Sequence, residues 1–363
     1  MKTITICTRY LAKLYTLSFL LLTALAVATV ADAAVTGNCS DCHTMHYSQG
    51  GQALAEWGSD GPYNALLTTT CVGCHTGVNS SGGDVPFVFS TTAPVYDATG
   101  TESGTNTLAG GNFYWAANGT NDTGHNVDDL AAYDSLANES GFLAFSAAAD
   151  SSTPGNGSWP AGQQVTCAGT YGCHGTHSES VMVSAVAGGH HYGQSGALTT
   201  PGTTPAGGFR MLVGIAGYED PEWELTPTSS LHNQYKGVDD VTSDSATISA
   251  FCMRCHDDYH ASSGPGGGWL RHPIDYDMGS TAAGSEVRGY GGAYDPAVPV
   301  ASIDVSSVLN TVTFNDDTIV TCLSCHRSHG SPFSKLLRWD YMDSIGDGKV
   351  TGGGCTACHT SKN

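Results

Sequence analysis

Five times in this chain two cysteines stand three positions apart with a histidine directly after the second. They are CSDCH (Cys39, Cys42, His43), CVGCH (Cys71, Cys74, His75), CMRCH (Cys252, Cys255, His256), CLSCH (Cys322, Cys325, His326) and CTACH (Cys355, Cys358, His359). C-x-x-C-H is the spacing of covalent c-type haem attachment. Two thiols add to the two vinyl groups on one porphyrin edge, and the imidazole reaches the iron from one face. One such match arises easily by chance; a series does not.

A sixth site is looser. CAGTYGCH places five residues between Cys167 and Cys173, with His174 following. The Cys-His step must stay tight, whereas a longer loop between the thiols can bulge outward. The alternatives are a Cys167–Cys173 disulfide, or zinc, for which C-x-x-C is also a ligand spacing. Cysteine arithmetic favours haem: of 13 cysteines Cys7 lies in the leader, and the others form six pairs, each ending in Cys-His. Five histidines at one fixed offset argue against zinc.

The first 33 residues read as a secretory signal: Lys2, Arg9 and Lys13, an apolar run from Leu14 to Val30, then the small-residue site Ala31-Asp32-Ala33. Bacterial c-type haem is attached after export, so a leader is what the motif requires. No later segment has about 18 consecutive apolar residues, so no membrane span is expected in the mature chain. Residues 34–363 then leave about 55 residues for each of six haems. The 47 glycines and tracts such as SSGGDVPFVFSTTAPVYDATGTESGTNTLAGG would by themselves be poorly ordered. Buried macrocycles supply the apolar surface the chain lacks. The expected fold class is a multihaem cytochrome c, mostly coil with few short helices and small β-hairpins. Asp244 should cap a helix through SATISAFCMRCH, and TVTFNDDTIVTC (311–322) should form a hairpin turning at Asn315-Asp316-Asp317.

Without the leader, 10 Lys and Arg face 32 Asp and Glu, a net of −22. Nucleic acid and anionic membrane surfaces are therefore excluded as partners. The intervals between motifs repeat. Between His43 and Cys71 lie 27 residues, and between His326 and Cys355 lie 28. Each opens with a second histidine, C-x-x-C-H-x-x-H, and each contains Leu-Leu, at Leu66-Leu67 and Leu336-Leu337. His174 and His177 begin a third unit that reaches Cys252 after 77 residues. The chain thus divides into three doubled units, 39–75, 167–256 and 322–359, within one haem-bearing domain.

His46 lies only about 4.5 Å further along a helix axis than His43, on the same side. Two intervening residues cannot carry the backbone round a macrocycle, so His46 serves a different iron or none. The same holds for His177 and His329. Fifteen histidines less six proximal ones leave nine, enough to fill six distal positions. The distal candidates are His46, His125, His177, His191, His232, His272 and His329, with His190 the alternative to His191 and His260 a bystander. Methionine at one site, with Met45 inside the first motif, stays open, and such a ligand would raise that potential. Asp340, Asp343 and Asp347 lack the full spacing of a calcium loop.

CSDCHTMHYSQGG, GCHGTH followed by GGHHYG, WLRHPID after CMRCH, and TCLSCHRSHGS…LL…CTACH together resemble the outer-surface hexahaem cytochromes of the OmcS nanowire type. The resemblance implies six haem c groups, bis-histidine ligation throughout, and haems stacked in alternating parallel and T-shaped pairs. It also implies that His46 ligates a haem of the neighbouring subunit. The CAGTYGCH loop departs from that pattern. The expected function is extracellular electron transfer, without catalysis, by a secreted protein on the outer cell surface. Its expected partners are identical subunits in a head-to-tail filament, other cytochromes and extracellular electron acceptors. A monomeric periplasmic carrier is the alternative. A multihaem redox enzyme is a third reading, against which stand the absence of C-x-x-C-K and the surplus of histidines.

Overall fold

Two cysteines at i and i+3 fit one helical turn, which brings both thiols to the same side. The computed structural model describes residues 38–44, 48–49, 52–53, 66–67, 69–95, 107–118, 123–130, 164–192, 196–239, 244–256, 273–282, 289–346, 349–350 and 354–359. Its helices are α1 (Cys39–Cys42), α2 (Cys71–Cys74), α3 (Tyr114–Asn118), α4 (Met182–Ala185), α5 (Ile248–His256), α6 (Cys322–Cys325), α7 (Tyr341–Ser344) and α8 (Cys355–Cys358). All five C-x-x-C-H segments are helical. In the four single-turn cases the histidine N–H bonds the carbonyl of the first cysteine, at 2.8 Å (His43), 2.9 Å (His75), 3.0 Å (His326) and 2.9 Å (His359). At His43, His326 and His359 the backbone leaves the helix in an extended conformation.

Strands are short and mostly antiparallel. β1 (Ser48–Gln49) pairs with β2 (Gln52–Ala53), and β12 (Ile345–Gly346) with β13 (Lys349–Val350). β5 (Gly196–Leu198), β6 (Gly217–Glu219) and β7 (Gln234–Tyr235) form the one three-stranded sheet among the described residues. The CAGTYGCH segment supplies β3 (Thr166–Ala168) and β4 (Gly172–His174), a parallel pair joined by a turn through Gly169 at φ +91°. The chain is mostly coil, as the cofactor-centred reading requires.

Two local expectations are corrected. TVTFNDDTIVTC is not a hairpin: β10 (Thr311–Val312) pairs with β9 (Gly292–Ala293), while β11 (Ile319–Val320) pairs with β8 (Tyr276–Asp277). The Asp317 carboxylate gathers Thr313 N, Thr313 Oγ1 and Asn315 N, and Phe314 and Asp316 take φ +62° and +58°. That loop splays its flanks apart. Asp244, likewise, accepts from Ala246 N in a turn and ion-pairs with Lys236 at 3.7 Å. The N-cap acceptor of α5 is Thr247, whose hydroxyl accepts from Ala250 N at 3.1 Å.

The apolar clusters lie beside the cysteine motifs. Phe113, Ala116, Val127 and Leu130 pack with Val72 and Cys167, next to the second and third motifs. Met278, Tyr290, Tyr294, Val300, Val312, Val320 and Trp339 pack with Cys325, Cys355 and Cys358, next to the last two. Arg327, 1 % exposed, ties these regions together by donating to the carbonyls of Leu108 and Ala109.

Candidate haem sites

Three of the motif histidines are oriented from behind by a backbone carbonyl. Nδ1 of His75 lies 2.8 Å from the Pro86 carbonyl, that of His174 2.9 Å from Arg210 O, and that of His326 2.7 Å from Lys335 O. A carbonyl can only accept, so Nδ1 carries the proton and Nε2 keeps its lone pair. This is the tautomer and second contact of a metal-ligating histidine. His125, a distal candidate, has the same arrangement, with Nδ1 2.6 Å from Ser328 O.

Rings from distant parts of the chain face one another in pairs. His43 and His191 have ring centres 6.2 Å apart at 12°, His75 and His190 6.2 Å apart at 33°, and His174 and His329 6.4 Å apart at 48°. An imidazole nitrogen sits about 2.0 Å from a first-row metal ion and about 1.1 Å from its own ring centre, so two imidazoles on opposite faces of one ion stand about 6.3 Å apart. The residues present therefore fit a bis-histidine iron at three places. His190 and His191 are adjacent in sequence yet face different proximal histidines. His329, three residues after His326, stands across from His174 of another motif.

Burial keeps several of these rings neutral. His174 and His125 are held below the usual imidazole range by desolvation. Burial, with His174, His125 and His75 nearby, pushes His329 down to about 3. Neutral imidazole is the ligating form. Room at His329 is fixed by Gly110, where a Cβ would meet the His329 Nδ1 and the Ser328 Oγ, both at 2.8 Å.

The thiols form a second pattern. The sulfurs of Cys71 and Cys167, from the second and third motifs, lie with an Asp129 oxygen within 4.8 Å of one another. The neighbouring Cys322 of the fifth motif and burial push the Cys252 thiol of the fourth up. Asp129 also accepts from Val72 N at 2.6 Å, clamping α2 beside β3. Among the described residues Cys167 is not joined to Cys173, and all twelve cysteines there are free thiols.

Other candidates are placed differently. His177 faces α5: Arg254 donates to its Nε2, its ring lies 6.2 Å from Phe251, and burial, then Arg254, lower it to about 4. His232 is fully buried and stacked on Tyr294 at 3.6 Å and 4°. Its Nδ1 lies 2.9 Å from Asn233 O and its Nε2 3.3 Å from Leu309 O. Both ring nitrogens meet backbone carbonyls, which sets His232 apart from the paired rings. His46, His260 and His272, Met45, Asp347 and the ring of His256 lie outside the described residues. Sequence reasoning missed Arg338, whose side chain is 0 % exposed with Nη1 and Nη2 unpartnered and Nε donating to Leu323 O at 2.7 Å. A buried cation of this kind fits an interior that also receives anionic carboxylates, such as those of haem.

With this geometry in place, comparison with known proteins is informative. Residues 32–80 match the family model described as the doubled CXXCH motif. C-type cytochrome OmcS of Geobacter sulfurreducens is 24% identical over 357 residues, 83% of this chain and 78% of that protein. The chain is similar to OmcS in sequence over most of its length. Two solved structures also align: the outer membrane cytochrome S filament of that organism, at 20% identity, 85% coverage of both chains and TM-score 0.42, and its OmcS nanowires, at 20%, 84% of both and 0.44. Motif series, coil-rich fold and similarity to OmcS agree on a multihaem c-type cytochrome. No described helix is long and apolar enough to cross a membrane.

Proposed function

We propose that this chain is a hexahaem electron conduit that polymerises head to tail at the outer cell surface. The observation that carries the reading is the set of facing imidazoles at 6.2–6.4 Å, each pair drawn from distant parts of the chain. Bound haem supplies one-electron exchange at iron. The cysteine pairs hold it covalently, including Cys167 and Cys173, and His43, His75, His174, His256, His326 and His359 take the proximal face.

His191, His190 and His329 close the sites of His43, His75 and His174. His125, whose Nδ1 lies 2.6 Å from the carbonyl of Ser328 two residues beyond His326, closes that of His326. His46, His177 and His272 remain for the sites of His256 and His359. His232 is structural. Paired imidazoles leave no exchangeable position, which separates a carrier from an enzyme. Each distal histidine also ties one site to the peptide of another, as adjacent His190 and His191 do most tightly. Close spacing is what electron transfer between sites needs.

Similarity to OmcS, the protein of the nanowires, supports the polymer. His46 is the ligand given across the subunit boundary. In a head-to-tail polymer every subunit gives one ligand and receives one, so the count still closes. The leader (1–33), the single domain 34–363, and transfer to other cytochromes or external acceptors complete the reading. The test is electron microscopy of the secreted wild type and of His46→Ala. Wild type should form filaments with every haem low-spin. His46→Ala should load six haems, remain monomeric and leave one haem weakly ligated. Wild-type monomers with fully low-spin haems would instead indicate a diffusible carrier, and stoichiometric carbon monoxide binding by the reduced wild type would indicate an enzyme.

A further inference from the structure

The carbonyls behind His174 and His326 come from one recurring piece of backbone. Arg210 and Met211 take φ +51° and +59°, and Lys335 and Leu336 take φ +62° and +59°; each pair precedes a leucine, Leu212 or Leu337. In both triplets the first carbonyl accepts from the proximal ring, at 2.9 Å from His174 and 2.7 Å from His326. The second accepts from the backbone N–H directly after that histidine, Gly175 N to Met211 O and Arg327 N to Leu336 O, both at 2.8 Å. The leucine then bridges back, Leu212 to Gly175 and Leu337 to His326.

Successive left-handed residues turn two consecutive carbonyls onto one histidine and its neighbour, an arrangement that extended or helical backbone does not present. The first unit carries the second half of the same device: Leu66 lies at φ +56°, its carbonyl accepts from Thr44 N at 2.8 Å, and Leu67 bridges to His43. Trp223 and Glu224, at φ +54° and +62° before Leu225, form a fourth triplet, but the Trp223 carbonyl holds Ala109 N instead of a ring. His75 provides the contrast, since its carbonyl comes from Pro86 without any left-handed residue.

We propose that the triplets Arg210-Met211-Leu212 and Lys335-Leu336-Leu337 are positioning elements for the third and fifth haems, setting tautomer, ring orientation and donor strength of the proximal histidine through backbone conformation alone. This rests on the haem-site reading above. A firm Nδ1–H to carbonyl bond makes Nε2 a stronger donor, stabilises the oxidised iron and lowers its potential. Loosening the carbonyl should raise the potential of that one haem.

Lys335 is the place to test it, because its side chain is exposed. Glycine enters the left-handed region freely, asparagine tolerates it, alanine resists it and valine resists it most. Lys335→Gly, Lys335→Asn, Lys335→Ala and Lys335→Val all remove the same charge. Spectroelectrochemical titration and low-temperature electron paramagnetic resonance of the haem-loaded proteins give readouts that simple destabilisation does not move. Lys335→Gly and Lys335→Asn should reproduce each other's potentials and g-values. One haem should shift to more positive potential in Lys335→Ala, and further in Lys335→Val, its low-spin signal moving with it. If Lys335→Val matures poorly, the Gly, Asn and Ala members still give the order. An equal shift in all variants would assign the effect to the lost ammonium and overturn the proposal, as would potentials unmoved by alanine. A wild type lacking low-spin haem would instead defeat the haem-site reading itself.

Discussion

The CLSCH and CAGTYGCH sites reach one arrangement by different routes. Cys322 and Cys325 lie on the single turn of α6, whereas Cys167 and Cys173 lie on the parallel strands β3 and β4, either side of a Gly169 turn. Beyond the second cysteine the two sites converge. His326 and His174 are held by carbonyls at 2.7 and 2.9 Å, and the next N–H in each case by the following carbonyl at 2.8 Å. On the six-haem reading proposed above, the distance between thiols along the chain is loosely constrained. The Cys-His step and the carbonyl behind the ring are the parts that both sites share.

The strongest way to break this comparison is to remove the thiols. Cys167→Ala with Cys173→Ala should lower the intact mass of the mature protein by one haem, and so should Cys322→Ala with Cys325→Ala. The pyridine haemochrome count should fall from six to five in both. If the first double variant keeps the wild-type haem count, the strand site holds no haem and its likeness to the helical site is accidental.

Sequence patterns exposed what both sites share and hid what differs. Every Cys-His and both Leu-Leu pairs were readable as repeats, because covalent chemistry and a recurring backbone shape constrain residue identity. The third member, Met211-Leu212, was not readable: it lies 37 residues beyond His174 rather than ten, and its defining property is a positive φ. FRML against SKLL was the available signal. The expectation of a hairpin over 311–322 failed because each strand was completed by a distant partner, and alternation cannot name the partner. The choice between His190 and His191 was posed as one or the other, whereas each ring faces its own proximal histidine. His232 showed no sequence mark of its burial, since stacking on Tyr294 joins residues 62 positions apart.

Removing the opposing ring should hit both kinds of site equally. His329→Ala faces the strand site and His191→Ala the helical site of His43. Each should convert one haem per chain to a five-coordinate, carbon monoxide-binding form with covalent loading unchanged. His232→Ala should leave all haems low-spin while costing about 3 kcal/mol of stability, because it empties a buried ring position and strands the carbonyl that its ring N–H bonds. A spectral change in His232→Ala, or none in His329→Ala, would reverse the assignment of these two residues. Thermal unfolding followed in the haem absorbance separates the cases.

A smaller perturbation acts chiefly on the strand site. In Gly110→Ala the new methyl would sit 2.8 Å from His329 Nδ1 and from Ser328 Oγ. Overpacking of this kind costs about 1–3 kcal/mol, and the ring can relieve it only by moving off its axis toward His174. A fraction of one haem should become high-spin, increasing with temperature, with the His43 and His75 sites untouched. An entirely low-spin spectrum up to the unfolding transition would mean that the ring has slack, and that glycine at 110 serves the backbone instead.

The smallest effects concern the threonine that precedes the first cysteine in both settings. Before α2, Thr70 Oγ1 accepts from Gly73 N at 3.2 Å and so caps a helical turn. At the strand site Thr166 Oγ1 donates to Ala168 O at 2.8 Å. The same Thr-Cys dipeptide thus uses its hydroxyl with opposite polarity. Thr70→Ala should cost about 1 kcal/mol, the ordinary value of an N-cap, and Thr70→Ser almost nothing, because an acceptor oxygen is enough. Thr166→Ala should cost about 0.5–1 kcal/mol through a lost neutral hydrogen bond. Thr166→Ser should restore it only in part, since the β-branched side chain also suits the strand it begins. Equal rescue by serine at both positions, measured by thermal unfolding at fixed haem content, would mean that the two hydroxyls do one job and that the sites differ less than their backbones suggest. Full rescue at Thr70 with partial rescue at Thr166 would place the difference in the local fold around the first thiol, upstream of the histidine both sites hold alike.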